Sequence, residues 1–227
     1  MTADVNAWRK ILAELGDSVV LVAVSKTKTV ADILALYSEG QRDFGENYVQ
    51  ELVGKQSQLP ADIRWHFIGH LQSNKVKVIL PFVHLIHGVD SLRLLKEIDR
   101  QAAKTGRIAE VLLQVHVARE ETKFGFDADE LAQAMQTVLA AGGEYGHVRI
   151  RGLMGMASNT EDLAVVTAEF RALKTLLDRW FPSGAILSMG MSGDYQLAVR
   201  EGSTMVRIGS LLFGKRGGDL GGLGGKT

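Results

Sequence analysis

Short apolar runs alternate along the chain with longer segments in which apolar residues recur every three or four positions. Several of the runs are apolar at successive positions, which is typical of parallel strands covered on both faces. The longer segments have the period of amphipathic helices. Strands are predicted at 19–24, up to Phe44, and at 64–68, 84–87, 110–117, 148–154, 185–189 and 205–208. Helices are predicted at 8–15, 30–37, 48–58, 74–80, 91–104, 129–141, 162–180 and 195–200.

This alternation predicts an α/β protein built from eight β/α units of roughly 24 residues each. A single (β/α)8 TIM barrel, with an extra N-terminal helix around Trp8, is the architecture that we expect. A doubly wound open sheet would give the same alternation, because strand order cannot be read from one sequence. We expect the barrel to occupy residues 1–214 and residues 215–227 to form a flexible, Gly-rich tail.

Charge and cysteine content exclude several classes of function. Lys plus Arg equals Asp plus Glu at 26 each, so the chain lacks the net positive charge of a general nucleic-acid binder. The chain has no cysteine, which excludes disulfides, a thiolate zinc site and a cysteine nucleophile. Neither a signal peptide nor a membrane-spanning apolar run is present in the sequence. We therefore expect a cytoplasmic protein that binds neither nucleic acid nor membrane.

Lys26 follows the first apolar run, where a barrel would place it at the carboxyl end of a strand. Burial disfavours the charged form of an amine, and a neutral amine attacks aldehydes to form a Schiff base. The alternative is a lysine that only reaches solvent from the end of a strand.

The loops after the last two predicted strands contain a candidate phosphate site. Ser192 and Gly193 precede a predicted helix, and Gly209 and Ser210 follow the final strand. Peptide N–H groups and hydroxyls in these two loops are a recurrent phosphate site of TIM barrels. Helix capping by Ser192 and turn formation by the glycines are the alternative uses of these residues.

Closure of a barrel would place the last strand beside the first, and a phosphate there beside Lys26. Pyridoxal 5′-phosphate (PLP) carries its aldehyde and its phosphate arm on adjacent ring carbons, so one PLP molecule would reach both groups. Arg207, two residues before Gly209, is spaced to reach the ring. A structural ion pair is the alternative role of Arg207.

Five motifs carry a resemblance to a known family. They are AVSKTK at 23–28, FGENYVQE at 44–51, HFIGHLQSNK at 66–75, GLMGM at 152–156, and the segment 187–214. With these motifs the chain resembles the pyridoxal phosphate homeostasis proteins, also called the PLP-binding protein family. The resemblance covers nearly all of the chain before the tail. It implies the barrel of the N-terminal domain of alanine racemase, PLP as cofactor, and a role in vitamin B6 and amino-acid or keto-acid balance.

The resemblance also implies a role for each matching residue. Lys26 would hold PLP as a Schiff base, and Arg207 would face its pyridine nitrogen. Four residues match the phosphate-binding turns: Ser192, Gly193, Gly209 and Ser210.

Other matching positions lie on the rim of the expected site. Asn47, His70 and Met156 match positions close to the ring, and Lys123 falls where the family often has a basic residue. Lys123 would receive the cofactor during transfer, or would be an ordinary solvated loop lysine.

We expect a carrier or buffer of PLP without dedicated catalysis or catalytic residues. Efficient racemisation needs an acid or base on each face of the ring. In alanine racemases a tyrosine on the second domain of the partner subunit supplies one of them, and this sequence contains no such domain. The alternatives are a low-activity amino-acid racemase that uses Lys26 as its only base, and a sugar-phosphate isomerase barrel.

The expected partners are PLP and, by transient contact, PLP-dependent apoenzymes. The lack of the racemase dimerisation domain predicts a monomer. The pairs His66/His70 and His84/His87 have no supporting carboxylate cluster, so we interpret them as core or turn histidines and expect no metal.

Overall fold

The structure, a computed structural model, describes residues 3–119, 124–141 and 143–214. Within these residues, eight parallel strands form a closed barrel in chain order. The strands are β1 (Val20–Val24), β2 (Asp43–Glu46), β3 (Arg64–Phe67), β4 (Leu85–Val89), β5 (Ala109–Val115), β6 (Val148–Gly155), β7 (Ile186–Ser188) and β8 (Met205–Ile208). The predicted barrel is therefore confirmed, and the open sheet is excluded because β1 pairs with β8, with Ala23 opposite Ile208.

Helices follow the strands around the outside of the barrel. They are α1 (Val5–Leu15), α2 (Val30–Ser38), α3 (Val49–Gln56), α4 (Val76–Ile79), α5 (Leu92–Thr105), α6 (Ala128–Ala140), α7 (Leu163–Trp180), α8 (Tyr195–Arg200) and α9 (Ser210–Phe213). The extra N-terminal helix is confirmed as α1. Its residue Trp8 is buried, with the indole N–H donating to Gln41 Oε1 at 2.9 Å.

Local chemistry explains where the helices begin and end. The Ser91 hydroxyl accepts the N–H of Leu94 at 3.3 Å as the N-cap of α5, and Gly106 ends this helix with a φ of 64°. Asp162 caps α7 instead of opening it as a helical residue. Asp127 caps α6, which begins at Ala128, one residue before the predicted start. Most predicted bounds therefore differ from the observed ones by a residue or two, and α9 was not predicted.

Two apolar layers hold the barrel together. The larger layer joins the outer faces of the strands to the helices, and buries such residues as Phe44, Phe67 and Phe170. A smaller cluster contains strand residues of the interior: Val22, Leu85, Leu112, Met154 and Met205. Among the described helices, none combines the length and apolarity that a membrane span needs.

Candidate functional site

All of the predicted cofactor-binding residues lie at the carboxyl ends of the strands or in the loops that follow them. Ser192 and Gly193 follow β7, Arg207 is in β8, and Gly209 follows β8. The remaining ones, taken around the barrel from β8, are Ser210 after β8, Lys26 after β1, Asn47 after β2, His70 after β3 and Met156 after β6. Because β6, β7, β8, β1, β2 and β3 are consecutive neighbours in the barrel, these residues form one continuous arc of its rim.

Lys26 is half-buried in a turn that α3 holds on both sides. The carbonyl oxygen of Ser25 accepts a hydrogen bond from Lys55 Nζ at 2.8 Å. The N–H of Thr27 donates to Glu51 Oε2 at 2.7 Å. Thr27 is the one non-glycine among the described residues with a positive φ, at 63°. A backbone in this region is costly for a β-branched residue, so the flanking hydrogen bonds keep the turn in this shape.

A buried charge cluster lies beneath the turn. Lys55 Nζ is 2.7 Å from Glu46 Oε1 and 3.0 Å from Glu51 Oε2, and the Ser25 hydroxyl donates to Glu46 Oε1 at 2.6 Å. Burial raises the pKa of Glu46, against the hydrogen bonds from Lys55 and Ser25. Burial also acts on Glu51, but the hydrogen bonds from Thr27 and Lys55 outweigh it and lower the pKa of this carboxyl.

Sequence reasoning missed Glu46, Glu51 and Lys55 as parts of the site. The spacing of Glu51 and Lys55, four residues apart on a predicted helix, is a signal for an ion pair. The sequence does not reveal that this pair turns towards Lys26, because that depends on how α3 packs against the barrel.

The loops after β7 and β8 meet directly. The N–H of Gly209 donates to the Ser192 hydroxyl at 3.3 Å. Helix α8 begins at Tyr195 with Asp194 as its N-cap residue, so the helix-cap interpretation of Ser192 is wrong. A Cβ built on Gly209 would lie 3.4 Å from the Val24 carbonyl oxygen, which shows how closely the end of β8 approaches the end of β1.

Arg207 is buried, and it directs its guanidinium at uncharged oxygens of the neighbouring strands. Nη1 donates to the carbonyl oxygen and the hydroxyl of Ser188 at 2.8 and 2.7 Å, and Nη2 donates to the Gly155 carbonyl at 3.0 Å. Burial lowers the pKa of Arg207 to about 10, partly opposed by the charge of Asp194. Arg207 therefore stays protonated at neutral pH. Its three hydrogen bonds within the described residues differ from the ion pair considered as an alternative.

The far side of the arc is formed by the rim residues after β2, β3 and β6. Asn47 is half-buried, and its Oδ1 has no hydrogen-bond partner among the described residues. His70 is exposed, lies 3.0 Å from Asp90 Oδ2 through Nδ1, and stacks on Phe124 with 4.1 Å between ring centroids. Met156 lies near Phe124, since both line one small cavity.

Two further sequence predictions concern residues away from this arc. His66 and His87 are buried inside the barrel, as the core interpretation predicts, whereas His70 and His84 are exposed. In the part of the chain that the structure describes, no group of three or more potential metal ligands is found. Lys123 and the predicted tail 215–227 lie outside the described residues.

Comparison with known proteins places the chain in a family. Residues 4–217 match the family described as alanine racemase, N-terminal domain. A pyridoxal phosphate homeostasis protein of Synechocystis sp. is 38% identical over 217 residues, which cover 93% of this chain and 98% of that protein.

Solved structures agree with the sequence comparison. PipY of Synechococcus elongatus PCC7942 with PLP bound has a TM-score of 0.82 at 36% identity, covering 92% of this chain and 99% of that chain. Alanine racemase from Bartonella henselae has a TM-score of 0.75 at 18% identity and covers 92% of this chain but 59% of its own, which shows a likeness of fold alone. On the match to its full-length relatives, the chain belongs to the family of pyridoxal phosphate homeostasis proteins.

Proposed function

We propose that the chain binds PLP through Lys26 and acts in PLP homeostasis as a carrier or buffer without dedicated catalysis. The observation that carries this proposal is the seam between β8 and β1, where the half-buried Lys26 follows one strand and the Ser192–Gly209 hydrogen bond lies at the end of the other. PipY, a relative that matches this chain over 99% of its own length, has a structure with PLP bound.

The residues of the arc fit the chemical groups of PLP. The amine of Lys26 would attach to the aldehyde carbon with loss of one water molecule. The hydroxyls of Ser192 and Ser210 and the glycine-rich backbone at 193 and 209 would bind the phosphate. Asn47 brings a buried amide oxygen without a partner among the described residues, and such an atom needs a hydrogen-bond donor.

Arg207 would hold the ring nitrogen of PLP as a hydrogen-bond acceptor. When bound, PLP supplies an electron sink, whose strength depends on protonation of that nitrogen. A guanidinium with a pKa of about 10 is protonated at neutral pH and only donates, so it disfavours a second proton at the ring. This weakens the electron sink and favours holding PLP over transforming amino acids.

The second candidate is a low-activity amino-acid racemase in which Lys26 is the only base. The half-buried position of Lys26 at the barrel rim favours it, since an amine there is placed to exchange protons with a bound amino acid. Incubation of the PLP-loaded protein with L-alanine separates the two functions. Sustained formation of D-alanine supports the racemase and contradicts the carrier.

The carrier role also concerns where the protein acts, its oligomeric state and its partners. We infer that the protein acts in the cytoplasm as a monomer and that it meets PLP-dependent apoenzymes by transient contact. Size-exclusion chromatography with light scattering tests the monomer, and transfer of PLP to an added apoenzyme tests the contact.

Borohydride reduction of the PLP-loaded protein tests the proposed function directly. We expect one pyridoxyl group per chain, located on Lys26 by peptide mass spectrometry. Lys26→Ala should abolish this label, whereas Lys96→Ala, at an exposed lysine of α5, should leave it unchanged. A wild-type protein that takes up no PLP, or a label on another lysine, would overturn the proposal.

A further inference from the structure

A row of hydrogen-bonded side chains crosses the barrel interior from Arg207 near its carboxyl end to Asp43 at the start of β2. The Ser188 hydroxyl is 2.7 Å from Arg207 Nη1 and 3.1 Å from His87 Nδ1. His87 Nε2 is 2.9 Å from His66 Nδ1, and His66 Nε2 is 2.9 Å from Asp43 Oδ1. We call these five residues the buried chain, since none is more than 7% exposed.

Charge fixes the hydrogen positions at both ends of the buried chain. Burial acts against ionisation of Asp43, but hydrogen bonds from Arg64 and His66 outweigh it and lower the pKa of Asp43 to about 2. An ionised carboxylate only accepts hydrogen bonds, so His66 carries a hydrogen on Nε2. At the other end Arg207 only donates, so the Ser188 oxygen accepts from it.

His87 completes a single direction of donation. Complete burial, together with the nearby His66 and Arg207, holds the pKa of His87 well below its ordinary value, so this ring is neutral and carries one hydrogen. With that hydrogen on Nε2, His87 donates to His66 and accepts from the Ser188 hydroxyl. The other tautomer would leave the Ser188 hydrogen without an acceptor in the buried chain.

With His66 Nδ1 as the acceptor of the His87 hydrogen, every donor in the buried chain points from Arg207 towards Asp43. Hydrogen bonds aligned in this way polarise one another in a low-dielectric interior. Each hydrogen bond of Arg207 within the described residues goes to an uncharged oxygen, and the buried chain connects one of these oxygens, the Ser188 hydroxyl, to the carboxylate of Asp43. Arg64 pairs with that carboxylate from the opposite side, at the amino-terminal end of the barrel.

The surroundings of the buried chain argue against a role in packing alone. The interiors of such barrels are usually filled by layers of branched apolar residues, and an apolar cluster around Leu85 and Met205 fills part of this one. A buried polar network costs stability unless every member is satisfied, and apolar side chains of similar size serve packing as well or better. A fully satisfied polar network in this position indicates a function at the end that contains Arg207.

We propose that Ser188, His87, His66 and Asp43 are positioning residues that hold the guanidinium of Arg207 as a fixed donor towards the ring of bound PLP. The effect of these residues on bound PLP, which we call the purpose, rests on the proposed function. The restraint of the Arg207 guanidinium by the buried chain, which we call the hold, exists in the protein without PLP. The two parts can therefore be measured separately.

Hydrogen exchange of the Arg207 guanidinium, followed by ¹⁵N NMR in the PLP-free protein, tests the hold. The Arg207→Lys variant assigns the signal. Ser188→Ala should accelerate exchange by about 10- to 100-fold, the effect of losing one hydrogen bond from a charged donor. Asp43→Asn, at the remote end, should accelerate it by a smaller factor. The matched control is Ser203→Ala, which removes another buried hydroxyl, just before β8. It should leave the exchange rate of the Arg207 guanidinium unchanged.

The ¹⁵N chemical shift of the ring nitrogen, measured with labelled PLP, tests the purpose. This chemical shift should change in Ser188→Ala and His87→Gln, and should equal that of the wild type in Ser203→Ala. Unchanged Arg207 exchange in Ser188→Ala and Asp43→Asn would overturn the hold, as would equal acceleration in the control. Faster exchange with an unmoved ring shift would overturn the purpose. A wild-type protein that binds no PLP, yet shows faster Arg207 exchange in Ser188→Ala, would contradict the proposed function and leave the hold intact.

Discussion

Lys55 donates to the carbonyl oxygen of Ser25 at 2.8 Å, so a buried ammonium in α3 holds the peptide group that precedes Lys26. The same ammonium is the partner of Glu46, whose side chain is fully buried. The position of Lys26 and the stability of the barrel therefore depend on one side chain.

We expect Lys55→Met to lower the free energy of unfolding by about 3–5 kcal/mol, because it leaves the carboxylate of Glu46 buried without its counterion. Urea denaturation at pH 7 measures this loss. The control is Lys174→Met, which breaks the exposed pair with Asp178 and should change stability by less than about 1 kcal/mol. Equal effects of the two substitutions would refute the role assigned to Lys55.

Ser192→Ala should weaken PLP binding by about 10-fold, because the phosphate loses a hydroxyl donor and the loops after β7 and β8 lose their shared hydrogen bond. Fluorescence titration of PLP measures the affinity, and competition by inorganic phosphate isolates the phosphate contribution. Ser57→Ala, at an exposed serine after α3, should bind PLP like the wild type. An unchanged affinity of Ser192→Ala for PLP and for inorganic phosphate would show that the phosphate site lies elsewhere.

Gly69→Ala should destabilise the protein by about 1–3 kcal/mol and weaken PLP binding, because the new Cβ needs space that the backbone of Asn47 occupies. That Cβ would lie 2.3 Å from the Asn47 carbonyl oxygen, so the loops after β2 and β3 must separate. Gly54→Ala in α3 is the matched substitution, with no atom within 4 Å of its Cβ. It should stabilise the helix by about 0.5–1 kcal/mol. Thermal unfolding compares the two variants, and a stable Gly69→Ala protein would show that the loops tolerate separation.

The neutral His87 makes the barrel sensitive to acid. Burial puts the pKa of His87 in the folded protein well below its value in the unfolded chain, so the unfolded chain takes up the proton first as the pH falls. The contribution of His87 to stability is complete above the unfolded pKa of about 6.5 and declines below it. The loss is at most about 1.4 kcal/mol per pH unit.

Urea midpoints at pH 7, 6 and 5 follow this decline, and His87→Gln should flatten it. Asp43 adds a second decline at lower pH, because its stabilisation is present above the unfolded pKa of about 3.9 and is lost as the pH falls towards 2. An identical pH dependence in wild type and His87→Gln would show that His87 is not the group responsible.

Periodicity and capping residues were sufficient to predict eight β/α units and most of their elements, since buried strands and capped helices have local signatures. They did not separate a barrel from an open sheet, because that choice depends on strand order. The rim residues followed from the rule that barrel loops carry function at the carboxyl ends of the strands. Pairings across the barrel could not be predicted in this way, because they depend on strand register. The sequence suggested the pairs His66/His70 and His84/His87 by proximity along the chain.

The structure pairs His66 with His87 instead. Parallel β3 and β4 place His66 beside Leu85, so His87, two residues further along, points into the same interior. Each suggested pair has one buried and one exposed member, since His70 lies in the loop after β3 and His84 lies just before β4. Knowledge of the register between β3 and β4 would have revealed the buried chain. Composition alone carries no information about that register.

The seam between β1 and β8 also has a consequence for synthesis of the protein. Lys26 is synthesised before Ser192, Gly209 and β8, the strand that closes the barrel. A contact between β1 and β8 forms only after the residues between them have been made, because such non-local pairing needs both partners. If the site binds PLP as proposed, a chain in which β8 has not yet been made, or has been removed, lacks half of the phosphate site. Retention of the cofactor therefore reports that β8 has paired with β1 and closed the barrel.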